Sequence, residues 1–227
     1  MTSVRRLAAA ALGVALAACS ADPSPTPPPP CPTEPPTLAS AQATLEGARL
    51  ATVTVSGAVE GEFSIELYGD EAPLATANFV SLARCGFYDG IWFHRILAGF
   101  VIQAGDPGTK THDRDWPDLG RGGPGYAFEI EPPAPGLRYD RHSVAMANNG
   151  DANGSQWFVS LADLDDALRR VGVYTIFGSV VEGNDVIDQI AAVPVNDPRV
   201  GVPLELVTID RIEISSRPGP VASDGSS

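Results

Sequence analysis

Positive charge is scarce in this chain. Its 15 Lys and Arg stand against 28 Asp and Glu, a formal net charge of −13. Such an acidic surface repels phosphate backbones, which argues against nucleic acid as a partner. Histidine is rarer still, with three in 227 residues. His112 in "THDRD" has no second histidine at ligand spacing, so that stretch reads as a solvated loop rather than a metal site. No G-x-S-x-G elbow marks a nucleophilic serine. The run "GRGGPG" (Gly120–Gly125) has the letters of a dinucleotide fingerprint. A proline interrupts it, however, and a strand-like "YAFEIE" follows where a helix should open. The sequence therefore points to no metal and no cofactor. "NGS" (Asn153–Ser155) reads as an Asn-Gly turn rather than a glycosylation site.

Long apolar runs are missing too. The first eighteen residues carry Arg5 and Arg6 and then Leu7–Ala18, far short of the roughly 20 residues a spanning helix needs. The run ends in "LAAC" and resembles a bacterial lipoprotein signal (residues 1–18). That resemblance implies cleavage before Cys19, diacylglycerol on its thiol and palmitate-type chains in a membrane, hence an extracytoplasmic, lipid-anchored protein. An ordinary secretory signal would instead leave Cys19 a free thiol. Residues 20–37, "SADPSPTPPPPCPTEPPT", are half proline and favour extended polyproline II, at about 3.1 Å per residue. Residues 19–44 thus read as a lipidated stalk. Cys31 in the stalk and Cys85 are the other cysteines. Outside the cytoplasm they can pair, or remain two thiols with Cys85 packed as a small apolar residue. Neither has the neighbours of a nucleophile.

What is plentiful is glycine (23), proline (21) and apolar residues (44%), which suits a turn-rich β fold with one sizeable core. Period-two alternation dominates residues 45–215. "ATVTVSG" and "EFSIELY" form an expected hairpin with Gly57 and Gly61 between. "LVTIDRIEIS" slips phase in a way that a bulge at Asp210–Arg211 explains. Further strands are expected in "IWFHRI", "GFVIQA", "YAFEIE", "SVAMAN", "QWFVSL" and "YTIFGSV". Two helices break the pattern. One opens at Pro73 and stops at Gly86; the other has Asn184 as its expected N-cap and ends before Pro194. Such a set favours a mainly β fold, a closed eight-stranded antiparallel barrel capped by two α-helices. The tail 216–227 is polar and expected to be disordered.

One stretch resists a purely structural reading. "FHRILAGFVIQAGD" (Phe93–Asp106) is apolar enough for two buried strands, yet contains Arg95 and Gln103. Together with "ANFVSLARCGFYDG", "GRGGPGYAFEIE", "AMANNGDANGSQWFV" and "YTIFGSVVEGNDVID", in that order, it resembles the cyclophilin-type peptidyl-prolyl isomerases. The resemblance spans roughly residues 50–214. It implies Arg95 as the catalytic arginine and Gln103 as the glutamine that reaches the substrate backbone. Phe100, Val101 and Phe158 would line a proline pocket, Val101 standing where methionine is common. Ala147 and Asn148 would hold the peptide by main-chain bonds, with Gln156 close by. Tyr174 stands where many members carry histidine. The partners implied are proline-containing polypeptides, and the expected state is a monomer. "DLDDALRRVGV" (Asp163–Val173) departs from the family: it is longer than the usual loop there and lacks its tryptophan, and Leu164 or Leu168 is the candidate replacement wall. That departure keeps a rival reading open, a proline-peptide binding module or holdase with little catalysis. Taken alone, Arg95 could also be a surface brace paired with a carboxylate.

Overall fold

The computed structural model describes residues 27–216. The signal segment, Cys19 and most of the expected tail lie outside the described residues. In chain order the elements are α1 (Leu38–Thr44), β1 (Leu50–Gly57), β2 (Gly61–Leu67), α2 (Pro73–Arg84), β3 (Arg95–Leu97) and β4 (Val101–Ala104). A 3-10 turn at Pro107–Lys110 leads on to β5 (Ser143–Asn148), β6 (Asn153–Ser160), α3 (Asp165–Val171), β7 (Ile176–Glu182), α4 (Asn184–Ala191) and β8 (Val207–Ser215).

The eight strands form one antiparallel sheet in the order β3-β4-β6-β5-β7-β2-β1-β8. It is an open half-barrel, not the closed barrel expected. The reason lies in the segment before β3, which divides its hydrogen bonds between two neighbours. Phe93 N donates to Val207 O and Ile209 N donates to Ile91 O, whereas His94 N already donates to Gln103 O of β4. Only Trp92 and Thr208 form a bridge there, so no continuous ladder joins β3 to β8. "YAFEIE" likewise contributes only Phe128, bridged to Asn153, because the flanking residues find no strand partner. The expected β1–β2 hairpin is present, with Val55 opposite Gly61. So is the bulge: Thr54 faces Arg211 and Val55 faces Ile209, which leaves Asp210 unpaired.

Among the described residues there are four α-helices rather than two. α1 occupies residues given above to the stalk; Thr37 and Ser40 cap it reciprocally, and Ala41 is fully buried. The Cys31–Cys85 disulfide ties the segment before it to the end of α2. α2 has no side-chain cap of its own at Ala72. The Glu131 carboxylate supplies one from across the fold, accepting from Leu74 N at 2.9 Å and Ala75 N at 2.8 Å, where helix N–H groups and the helix dipole favour negative charge. α4 is preceded not by an Asn184 cap but by Gly183, with φ +76°. A β-carbon there would fall 2.3 Å from Glu62 O, so only glycine fits the turn. Asn153–Gly154 opens β6 rather than turning. Its Asn153 side chain is buried and donates to Thr175 Oγ1 at 3.0 Å.

The core fills the concave side of the sheet. Phe79 of α2 meets Trp157 edge-on with centroids 5.9 Å apart and Phe177 at 5.0 Å. Alternation then fixes the other side. Ile96, Ile102, Val159 and Val144 lie opposite one another across β3, β4, β6 and β5 and belong to the core. Their sequence neighbours Arg95, Gln103, Phe158 and Ala145 form the matching row, and these point outward. That is why a guanidinium and an amide interrupt so apolar a stretch.

Candidate active site

On this outer face a second apolar cluster gathers Val101, Ala145, Phe158, Leu164, Leu168 and Ile176, with Phe100, Ala147 and Tyr174 packed at its margin. The Asp163–Val173 departure explains part of it. The segment folds as α3, whose buried Leu168, with Leu164 just before it, supplies apolar wall. Tyr174 stands edge-on to Phe158, with centroids 5.6 Å apart.

Beside this cluster the polar residues form a hydrogen-bonded series. Arg95 Nη1 donates to Gln103 Oε1 at 3.4 Å, and Gln103 Nε2 donates to Gln156 Oε1 at 2.9 Å. Gln156 Nε2 in turn donates to the carbonyls of Gly120 and Gly122 at 2.9 and 2.8 Å. The Arg95 guanidinium lies 5.9 Å from the centre of the Phe100 ring. Among the described residues no carboxylate pairs with it, so the surface-brace reading fails. Burial pulls its pKa down, with Tyr174 opposing, but a guanidinium keeps its charge in any protein setting.

At the far end of β5 the register shifts between Met146 and Asn148, which leaves Ala147 outside the ladder. The Asn148 side chain donates to Val173 O at 2.9 Å and so links this strand to the loop after α3. A hollow of about 450 Å³, bordered by Gln103, Gly120, Gly122, Ala147, Asn148 and Gln156, continues the site. A larger one of about 780 Å³ lies between α1 and the start of α2, lined by Leu38, Gln42, Arg49 and Pro73, far along the chain from these groups. The nine site residues expected within the described chain are thus together on one surface.

Sequence reading missed others. Tyr139 is buried; its hydroxyl donates to Tyr174 O at 2.8 Å and accepts from Tyr174 N at 3.0 Å, fixing that residue's backbone. An isolated aromatic in a loop has no periodicity to reveal it. His94, next to Arg95, is buried with neither ring nitrogen hydrogen-bonded. Burial lowers its pKa to about 4; the charge of Asp106 opposes this, and Arg95 adds to it.

The His94 imidazole is therefore neutral in the folded protein at neutral pH. A depressed histidine pKa means stability that is complete above the unfolded value of 6.5 and is lost as pH falls from there through 4. At 1.36 kcal/mol per unit this residue accounts for about 3 kcal/mol. Denaturant titrations at pH 7 and pH 4 check it: His94→Phe should flatten the loss by about that amount, and an unchanged slope would count against it.

Comparison with known proteins shows the family. The family model described as cyclophilin type peptidyl-prolyl cis-trans isomerase/CLD matches residues 50–214. The chain belongs to the cyclophilin family. A peptidyl-prolyl cis-trans isomerase of Helicobacter pylori is 40% identical over 135 residues, covering 58% of this chain and 75% of that protein. Peptidyl-prolyl cis-trans isomerase A of Mycobacterium tuberculosis is 40% identical over 171 residues, covering 66% of this chain and 87% of the other. A crystal structure of a Cryptosporidium parvum cyclophilin type isomerase superposes with a TM-score of 0.63 at 29% identity, covering 75% of this chain and 99% of that one. Another structure of that protein, in the presence of the dipeptide Ala-Pro, gives 0.62 at the same identity, covering 74% and 99%. This cyclophilin is thus a peptidyl-prolyl cis-trans isomerase.

Proposed function

We propose that Arg95 is the group that lowers the rotation barrier, and that the apolar cluster beside it holds the proline ring. An X–Pro amide resists rotation by roughly 18–20 kcal/mol because its nitrogen shares a lone pair with the carbonyl. At the twisted geometry that lone pair localises and becomes an acceptor. Arg95 then donates to it, and because the bond exists mainly in that state it accelerates the reaction rather than merely tightening binding. Phe100, Val101 and Phe158 grip the ring, with Tyr174 behind Phe158. Gln103 and the main chain at Ala147–Asn148 steady the acyl side while it turns, and Gln156 supports Gln103. No covalent intermediate forms. The observation that carries this is a guanidinium with no carboxylate partner, 5.9 Å from the Phe100 ring centre and bonded to Gln103. Removing the guanidinium tests it: turnover should collapse while an Ala-Pro peptide still binds.

The same enzyme is proposed to work outside the cytoplasm as a monomer, held by lipid on Cys19 and acting on unfolded or newly exported polypeptides. The "LAAC" stretch supports the anchor. The Cys31–Cys85 disulfide supports the compartment, because such bonds persist where the surroundings oxidise. Cys19→Ser should move the protein from the membrane pellet to the soluble fraction after cell lysis. Unchanged partition would refute the anchor, since two acyl chains are what hold such proteins to a bilayer.

A further inference from the structure

The Gly120–Gly125 run has a task that begins at Asp106. That carboxylate is fully buried. One oxygen accepts from Gly108 N at 2.8 Å, the other from Gly120 N at 2.7 Å. The chain wraps it closely: a β-carbon on Gly122 would sit 2.0 Å from Asp106 Oδ1, and Gly120 has φ +82°. Glycine is what lets the turn close on the acid.

Once closed, the turn aims the carbonyls of Gly120 and Gly122 at Gln156 Nε2. Carbonyls only accept, so the Gln156 amide has a single workable orientation, with its N–H groups toward the turn and Oε1 toward Gln103. Gln103 must then present its own N–H₂ to Gln156, which it does at 2.9 Å. Its Oε1 is left to face Arg95, at 3.4 Å. Each amide could flip in isolation, and the turn forbids it for both. The last link is the long one, so Arg95 depends on the orientation handed to it.

We propose that Asp106 is a positioning residue for the isomerase reaction, clamping the Gly120–Gly122 turn so that Gln156 and Gln103 present their oxygens toward Arg95. This rests on Arg95 being the donor to the prolyl nitrogen. The alternative is a carboxylate that merely caps a turn, and a double-mutant cycle separates the two because residues acting through one series are not additive.

The test measures kcat and KM by magnetisation exchange on an Ala-Pro peptide, with the Arg95 Nε–Hε resonance as a structural signature, in the full chain. Asp106→Asn should lower kcat about tenfold, leave KM within about twofold and shift the Arg95 resonance. In a Gln156→Met background, where the series is already cut, the same change should cost less than about twofold. Gly122→Ala displaces the turn without altering the carboxylate and should behave alike, which keeps the test available if Asp106→Asn fails to fold. Equal losses in both backgrounds, or a folded variant with unchanged kcat, would overturn the proposal. Arg95→Ala measured alongside tells the two readings apart. If it leaves kcat intact, the donor assignment is wrong; if it abolishes turnover while the cycle is additive, only the positioning role is wrong.

Discussion

Replacing Arg95 with alanine is expected to lower kcat about 100- to 1000-fold while moving the melting temperature by no more than about 4 °C. The catalytic side follows from the size of the task. An unassisted X–Pro bond relaxes in roughly 10–100 s. An ordinary turnover of about 10 s⁻¹ therefore requires the barrier to fall by only about 4 kcal/mol. One donor aimed at charge that develops in the transition state, in a site sheltered from water, is worth about 3–4 kcal/mol. Little else would be needed, so its loss should remove most of the acceleration. KM should change little, because the ring is gripped by Phe158 and its neighbours and not by the guanidinium.

The stability side follows from how little Arg95 holds in the ground state. It makes one long hydrogen bond to Gln103 and a ring contact with Phe100. Contacts of that kind contribute about 1 kcal/mol together. Arg95→Lys is the informative companion: it keeps the charge but loses the planar fork of donors, so a partial loss is expected. Kinetics of the alanine variant together with a thermal melt decide the matter. A melting temperature lowered by 10 °C or more, with kcat reduced only in proportion to the folded fraction, would make Arg95 a structural residue.

Much of this surface was legible because alternation is a strong code. Ile96, Ile102 and Val159 had to face the core, so Arg95, Gln103 and Phe158 had to face away, and the phase slip in β8 located the bulge at Asp210. Illegible parts depend on partners distant in sequence. The stretch 126–131 has strand composition but meets β6 only at the Phe128–Asn153 bridge, and Tyr126 donates its hydroxyl to Asn78 Oδ1 at 2.7 Å. α1 follows a proline-rich run whose composition obscures it, and Ala41 is apolar at a single buried position. α3 is only seven residues long, and its exposed Val171 weakens the apolar stripe. Asp106 looks like any acid after a glycine until Gly120, fourteen residues on, closes over it. The open barrel has a related cause: closure requires one segment to satisfy two neighbours, and Ile91–Leu97 is too short to serve both.

Cutting the Cys31–Cys85 disulfide, by reduction or by the double replacement Cys31→Ser and Cys85→Ser, should cost about 4 kcal/mol of stability and leave kcat within about twofold. The bond closes a loop with a sequence separation of 54, and by the loop-closure relation that is the freedom it removes from the unfolded chain. The folded chain gives little back when the bond is lost. Beyond Cys31, α1 is held by the buried Ala41 and by Arg84 Nη1 donating to Thr44 O at 2.8 Å, and Leu45 and Ala48 pack into the main core. These contacts keep the native arrangement while the unfolded ensemble expands. The site is insulated by topology, since Arg95, Gln103, Phe158 and Tyr174 sit on or beside β3, β4, β6 and β7, whereas α1 packs against α2. Urea titrations with and without reductant measure the cost, and exchange kinetics on the same samples measure the site. A midpoint that does not move would mean that the unfolded chain is already constrained near Cys85. A collapse of kcat in a protein that stays folded would mean that the bond, and not the sheet, holds the catalytic face in shape.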